Sequence, residues 1–282
     1  LDEFMRKVPN QKLIKRLNLV AKEVRQDIVR TSFSSKSAHI AASLSAVDIL
    51  VALYFEILKV KSNDSLWSGR DRFILSKGHG CLGLYATLTR AGFLSQAQLK
   101  SFCRDGGCLG GHPEFGRIPG LEASTGSLGH GLSIGEGMAL SFKHGRKKNK
   151  VFVLLGDGEC NEGSIWEAAM SISHFKLDNI CAIIDYNKLQ ATGRTEAIMA
   201  LEPFKKKWEA FGWQCKEING HRMNEILAAL KSIPFKKNKP SLIIAHTVKG
   251  KGISFMENKL IWHYRPPNEK EMMRALKELS KG

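Results

Sequence analysis

The sequence predicts an α/β fold: a doubly wound, mostly parallel sheet with helices on both faces. Apolar runs at 151–155 (VFVLL) and 180–184 (ICAII) have the length and continuity of strands buried on both sides. A helical pattern from about Gly163 separates them, and strands alternate with helices elsewhere along the chain. Each run stops at a polar cluster, Gly156-Asp157-Gly158 and Asp185-Tyr186-Asn187. In open α/β sheets, ligands bind at those carboxyl ends.

The elements follow in order. Leu13, Leu17, Val20, Val24 and Ile28 recur at steps of three and four, which predicts an amphipathic helix over 10–32. A Ser-rich stretch, SFSSKSAHIAASLS, leads to a helix over 45–58 with Ser45 as its N-cap. Residues 70–75 read as a short strand running into Gly78-His79-Gly80. Helices are predicted at 82–91 and at 95–103, the second capped by Ser95. The Gly-rich segment 105–129 has no regular pattern. A structureless stretch of that length is usually functional or disordered, and its Pro and small residues predict an ordered path beside a ligand. A helix resumes over 130–144. Beyond the 180–184 strand, Pro203 sits in the first turn of a helix ending near Phe211. Then come a strand at 213–218, a turn at Asn219-Gly220-His221, a helix at 223–232, a strand at 241–246 and a closing helix at 269–279. No repeat or linker interrupts the pattern, so residues 1–282 are read as one domain.

Composition excludes several classes. The chain has 282 residues, 43% hydrophobic and 25% charged, an ordinary globular balance. No apolar run approaches the eighteen or so residues of a membrane span. The start, LDEFMRKVPNQKL, lacks the apolar core of a signal peptide, and with no initiator Met, residues before Leu1 are expected to be missing from this numbering. Six cysteines show no zinc-type spacing, and several sit in apolar runs, which fits reduced core thiols in a cytoplasmic protein. The net charge of +16 comes from lysine clusters at 143–150, 205–207 and 236–239. They lack interleaved aromatics and any nucleic-acid motif, so they read as solvated surface rather than a nucleic-acid footprint. Such a field would also attract phosphorylated sugars or an acidic partner chain.

The two strand ends carry readable chemistry. Asp157 offers a hard carboxylate oxygen and Asn187 a neutral amide oxygen, while Gly156 and Gly158 let backbone N–H groups approach an anion. Two protein oxygens suit Mg²⁺, which fills its octahedron with water and phosphate oxygens. Gly-Asp-Gly by itself is equally a tight turn; the second oxygen ligand thirty residues later favours the metal reading. Four histidines, His39, His79, His112 and His263, lie in loops flanking element ends. A lone loop His is more often a packing residue, but four together suit diphosphate binding and proton transfer to sugar hydroxyls.

Gly156-Asp157-Gly158 followed after thirty residues by Asn187 resembles the thiamine diphosphate signature. Its fill, GECNEGSIWEA and DYNKLQATG, resembles transketolase, and the likeness covers nearly the whole chain. The resemblance implies the thiamine diphosphate-binding fold, and within it the diphosphate-binding domain. It implies that the side chains of Asp157 and Asn187 and the carbonyl of Leu189 hold Mg²⁺, or Ca²⁺ or Mn²⁺ in its place. Gly156 would flank the cofactor, and Gly158 would present its N–H to the diphosphate. Gly126, Ser127, Leu128 and Gly129 of STGSLGHG would line the cofactor and substrate channel. His39 would relay protons at the substrate carbonyl, and His79 would lie near the diphosphate and the sugar. His112, in GHPE, would contact donor-sugar hydroxyls, and His263 would sit between diphosphate and substrate. Glu162, counted with the cofactor residues, and Glu167 would join an acidic network linking two cofactor sites across a dimer interface. Both are equally placed to stabilise the start of a helix. Lys249 and Lys251, in VKGKG, are candidate phosphate or substrate contacts, or simply an exposed loop.

Two departures from the family pattern touch the sugar edge. SAHIAASLS surrounds His39 where Gly and Pro are usual, and His130 replaces a Gln in GSLGHG. The resemblance stops at the first of the family's three domains. The pyrimidine-binding and C-terminal domains are expected to be absent from this chain, since no stretch after Leu279 matches them. The chain therefore resembles the N-terminal subunit of a split transketolase, active only with a C-terminal partner subunit in a heterotetramer. The implied reaction moves a two-carbon ketol unit from a ketose or ketose phosphate to an aldose or aldose phosphate, as in pentose phosphate metabolism, and this half of the enzyme does not specify which sugar. The rivals are half of another thiamine enzyme, like 1-deoxyxylulose-5-phosphate synthase or a 2-oxo acid dehydrogenase, and a non-catalytic scaffold subunit. The GHG, GHPE and GSLG loops favour transketolase over the first, and intact Asp157, Asn187 and four histidines argue against the second.

Overall fold

The computed structural model describes residues 10–281, so the expectation for the start at Leu1–Pro9 lies outside the described residues. Five strands are present among these: β1 (Arg72–Leu75), β2 (Val151–Gly156), β3 (Ile180–Tyr186), β4 (Gln214–Asn219) and β5 (Ser241–His246). They form one sheet in the order β1-β2-β3-β5-β4, and every pairing is parallel. The helices are α1 (Gln11–Ser35), α2 (Ile40–Ser45), α3 (Val47–Ala52), α4 (Cys81–Arg90), α5 (Gln96–Lys100), α6 (His130–His144), α7 (Gly163–His174), α8 (Thr195–Ile198), α9 (Phe204–Ala210), α10 (Met223–Lys231) and α11 (Glu269–Lys281).

Strand alternation explains why the sheet is covered twice. Phe152 and Leu154 of β2, Cys181 and Ile183 of β3, and Ile243 and Ala245 of β5 point into one core. That core is completed by α1, α2, α3, α4, α10 and α11, with Leu17, Val24, Ile28, Leu227 and Ala275 among its members. The intervening residues Val151, Val153, Leu155, Ile180, Ala182, Ile184, Leu242 and Ile244 point into a second core. There they meet Leu132 and Ala139 of α6, Ile165, Ala169 and Ile172 of α7, and Phe204 and Trp208 of α9. Continuous apolar runs are what a strand buried on both faces requires. β4, at the edge, is half exposed.

Several expectations need correction. The helix expected from Ser45 begins five residues earlier, at Ile40. Ser45 is fully buried inside it and is not an N-cap; its hydroxyl donates to the Asp185 carboxylate (2.5 Å) and to the Ala42 carbonyl (3.1 Å). After a junction at Ala46, α3 passes into a π turn over Leu53–Ile57. Pro203 precedes α9 instead of sitting in its first turn. Ser95 does cap α5, in a reciprocal capping box with Gln98, but the helix stops at Lys100. β3 runs two residues past the predicted end, so Asp185 and Tyr186 lie within it.

Segment 105–129 contains no helix or strand, yet it is tied down. Thr125 donates its N–H to the Pro113 carbonyl (3.1 Å) and its hydroxyl to the Leu75 carbonyl (2.8 Å). The Phe115 N–H reaches Ser124 Oγ at 2.9 Å. The six cysteines are free thiols, three of them buried. No helix among the described residues is long and apolar enough to cross a membrane.

Candidate active site

The carboxyl ends of four neighbouring strands meet at one cavity of about 290 Å³. Lys77 follows β1, Gly156-Asp157-Gly158 closes β2, Asn187 follows β3 and Lys249 follows β5. His39 enters from the turn before α2, His79 from the 3₁₀ turn Gly78–Gly80, and His263 from the 3₁₀ turn Leu260–His263. The tied-down loop delivers His112, Gly126 and Leu128. Leu189, Gln190, Ala191 and Tyr264 complete the wall. The structure thus brings together His39, His79, His112, His263, Gly126, Leu128, Gly156, Asp157, Gly158, Asn187 and Leu189. It leaves three expected residues off this wall: Ser127 and Glu162, which are exposed, and Gly129, which is buried. Glu167 is exposed on α7.

Asp157 is held at the bottom. It is 3% exposed; Oδ1 accepts the Gly158 N–H (2.8 Å), and Oδ2 accepts the Lys188 N–H (2.6 Å). Burial, reinforced by the nearby Asp185, pushes its carboxyl up to about 6. A carboxylate so placed favours a cation beside it. Asn187 Oδ1 accepts the Leu189 N–H at 3.1 Å, which shapes the turn that exposes the Leu189 carbonyl. That carbonyl accepts from the Lys249 ammonium (2.9 Å), as does the carbonyl of Gln190 (3.1 Å). Asp157, Asn187 and the Leu189 carbonyl therefore form an all-oxygen donor set, with a cationic group already drawn to one member. Such a set fits a hard divalent cation like Mg²⁺. Among the described residues no group of three or more His, Cys, Asp or Glu side chains is arranged to hold a metal ion. A Cβ at Gly158 would lie 2.9 Å from Gln190 Cγ, so any side chain there must push Gln190 aside.

Three imidazoles cluster above this floor. The His39 ring is 4.9 Å from His263 and 5.5 Å from His79, and His79 is 5.7 Å from His263. The His39 N–H donates to the His263 carbonyl at 2.9 Å, locking the two turns together. Burial comes first in lowering all three; repulsion from His112, Lys249 and Lys77 adds to it at His39, from Lys77, His39, His263 and Lys249 at His79, which is strongly lowered, and from Lys249, His39 and Lys77 at His263, lowered to about 3. All three rings are uncharged near neutral pH. Nδ1 of His39 and of His263 is buried without a partner, so each ring keeps an atom for a guest.

Two supports escape a reading of the sequence, and a third, Lys249, is left open by it. Lys77 and Asp185 form a buried ion pair at the cavity floor, and Asp185 also accepts from Ser45 and Thr247. Glu159, 2% exposed, accepts from the Gly129 and Gly156 N–H groups (3.0 Å each) and from the Ser76 hydroxyl. It pins the GSLG turn to the end of β2. Lys249, equally readable as exposed loop, is 2% exposed and faces the cavity. Burial, then Lys77, lowers its ammonium to about 8. Lys251 instead pairs with Glu257, off the cavity wall.

Comparison with known proteins identifies the family. Residues 17–280 match the family described as transketolase, thiamine diphosphate binding domain. The chain is 43% identical over 267 residues to one of the subunits of apulose-4-phosphate transketolase from Phocaeicola vulgatus, covering 95% of each. It is 42% identical over 243 residues to the 6-deoxy-6-sulfo-D-fructose transketolase subunit of a Clostridium species, covering 86% of this chain and 88% of that one. Human transketolase is 37% identical over 259 residues, but this chain spans only 41% of its length. The solved transketolase of Leishmania mexicana superposes with a TM-score of 0.88 at 29% identity, over 94% of this chain and 41% of that one. The chain belongs to the transketolase family, in which it carries the thiamine diphosphate-binding domain.

Proposed function

We propose that this chain is the N-terminal subunit of a two-chain, thiamine diphosphate- and Mg²⁺-dependent transketolase. It would transfer a two-carbon ketol unit from a ketose phosphate to an aldose phosphate, as in pentose phosphate metabolism. The observation that carries the proposal is the meeting, in one strand-end cavity, of three uncharged imidazoles with the oxygen set of Asp157, Asn187 and Leu189. In this reading those three oxygens hold Mg²⁺, and Gly156 and Gly158 open the backbone to the diphosphate. Bound thiamine diphosphate supplies the carbon nucleophile and the electron sink for carbon–carbon cleavage.

The chain's own residues do the rest. His39 and His263, uncharged and each with a free buried Nδ1, take and return protons at the sugar hydroxyl and carbonyl oxygen. His79 and His112 hold the sugar, while Gly126 and Leu128 shape its channel. Lys77 and Lys249 place positive charge against the diphosphate in a site where burial strengthens it. Glu162 and Glu167, exposed at the start of α7, serve an interface between copies.

Relatives of matching length are named as single subunits of transketolases, which supports a C-terminal partner chain in a heterotetramer. That partner supplies the pyrimidine-facing wall. The same relatives' names specify a ketose phosphate and a sulfo-sugar, so we infer a ketose donor with a terminal anionic group. We place the complex in the cytoplasm. Calorimetric titration of thiamine diphosphate with Mg²⁺ into the reconstituted complex tests the site. Asp157→Ala and Asn187→Ala are expected to abolish Mg²⁺-dependent binding. Unchanged binding in both variants would count against the assignment.

A further inference from the structure

We infer that Tyr264 determines sugar specificity, contacting the substrate at the mouth of the cavity with both its ring face and its hydroxyl. This inference rests on the transketolase reading. Tyr264 is 62% exposed, yet it lines the cavity. Its ring stands edge-on to two of the three clustered imidazoles, 4.6 Å from His263 and 5.7 Å from His39. Among the described residues its hydroxyl has no hydrogen-bond partner, whereas the hydroxyl of Tyr85 donates to the His112 carbonyl and that of Tyr186 to Glu202.

The ring's position is fixed from both sides. Before it, the His263 carbonyl accepts the His39 N–H. The adjacent Trp262 is buried, with its indole N–H on the Phe255 carbonyl at 3.1 Å. After it, Arg265 forms a two-point ion pair with Glu271 (2.9 and 2.5 Å) and stacks 4.2 Å over the Trp262 ring. An anchored backbone that presents a tyrosine to solvent offers a wall with little left to order on binding. A tyrosine combines an apolar face with a polar handle, and a sugar chain presents C–H and O–H groups side by side. A ketose whose carbonyl lies among the imidazoles extends outward past this ring. The ring then limits the width of the chain, and the phenol donates to a distal hydroxyl or terminal oxyanion.

The test uses the complex reconstituted with its C-terminal partner, supplied with two donors, a five-carbon and a seven-carbon ketose phosphate. Tyr264→Phe removes only the hydroxyl and is expected to raise KM about three- to tenfold, with kcat unchanged. Tyr264→Ala removes the wall and is expected to shift the ratio of kcat/KM for the two donors by about tenfold. Thiamine diphosphate affinity and thermal unfolding are expected to match the wild type in both. If KM and the donor ratio stay within about twofold of wild type in both variants, the inference is overturned while the activity stands. It is equally overturned if Tyr264→Ala loosens the complex in sedimentation at unchanged KM, because the ring then serves the partner. A wild-type complex that turns over no ketose takes down the transketolase reading and the inference together.

Discussion

Replacing Lys77 with Met keeps the reach of the side chain and removes its charge. Lys77 is 1% exposed and Asp185 fully buried, so the pair sits out of water. Lys77 also donates to the Ala42 carbonyl at 3.0 Å, and Asp185 also accepts from the hydroxyls of Ser45 and Thr247. Burial alone would raise the Asp185 carboxyl. The Lys77 charge and the hydrogen bonds from Lys77, Ser45 and Thr247 together outweigh it and hold the group below its usual value. Lys77→Met leaves that carboxylate in a dry site with neutral donors only. Removing one partner of a buried pair costs about 3–5 kcal/mol. Against a total stability of roughly 5–15 kcal/mol, that is a large share. Lys77→Met/Asp185→Asn removes both charges and is expected to recover most of the loss, giving a coupling of about 2 kcal/mol or more. Urea unfolding of the four proteins, followed by tryptophan fluorescence, completes the cycle. Single losses that add to within about 0.5 kcal/mol of the double would refute the reasoning.

Two further outcomes follow from the packing. Burial pushes the Asp48 carboxyl up, but the two-point contact with Arg25 (3.0 and 2.6 Å) and the bond to His221 (2.8 Å) outweigh it, leaving its pKa at about 2. A lowered carboxyl contributes stability that is complete above its ordinary value of 3.8 and is lost as pH falls through the folded value. Unfolding free energy is therefore expected to carry a term of about 2 kcal/mol that disappears between about pH 4 and pH 2, and Asp48→Asn is expected to lack it. Gly129 has φ +88°, and a Cβ there would lie 2.5 Å from Ser164 Oγ and 2.8 Å from Glu162 Cβ. Gly129→Ala is expected to cost about 1–3 kcal/mol in thermal or urea unfolding and to loosen the turn that Glu159 pins. A variant as stable as wild type would contradict that geometry.

What the sequence made legible follows from where its signals are local. β2, β3 and β5 announce themselves because a strand buried on both faces has no polar position to break the run. Asp157 and Asn187 stand out because each ends such a run. The histidines are readable as a set, though only the fold shows the rings of His39, His79 and His263 in mutual contact and His112 reaching the same cavity from its loop. Ser45 misleads because serine is a good N-cap, and its true partner, Asp185, lies 140 residues away. His39 sits at φ +65° just before α2, a backbone state that no periodicity reveals. The Lys77–Asp185 pair spans 108 residues, so neither member carries a local mark. Glu159 is in view within GDGE and its Gly156 donor is local, but its other donors, the Gly129 N–H and the Ser76 hydroxyl, lie 30 and 83 residues away in sequence. Lys249 looks like loop surface because VKGKG is polar, and its burial depends on the carbonyls of Leu189 and Gln190.

The central claim is that this chain forms one wall of a ketol-transfer site whose other wall is a separate polypeptide. The most direct measurement is ketol transfer from a ketose phosphate with thiamine diphosphate and Mg²⁺, for this chain alone, for its C-terminal partner alone, and for the two mixed. The account predicts turnover only in the mixture, and its loss when the mixture carries Asp157→Ala. Turnover by this chain alone, or an equally active mixture with Asp157→Ala, would contradict it.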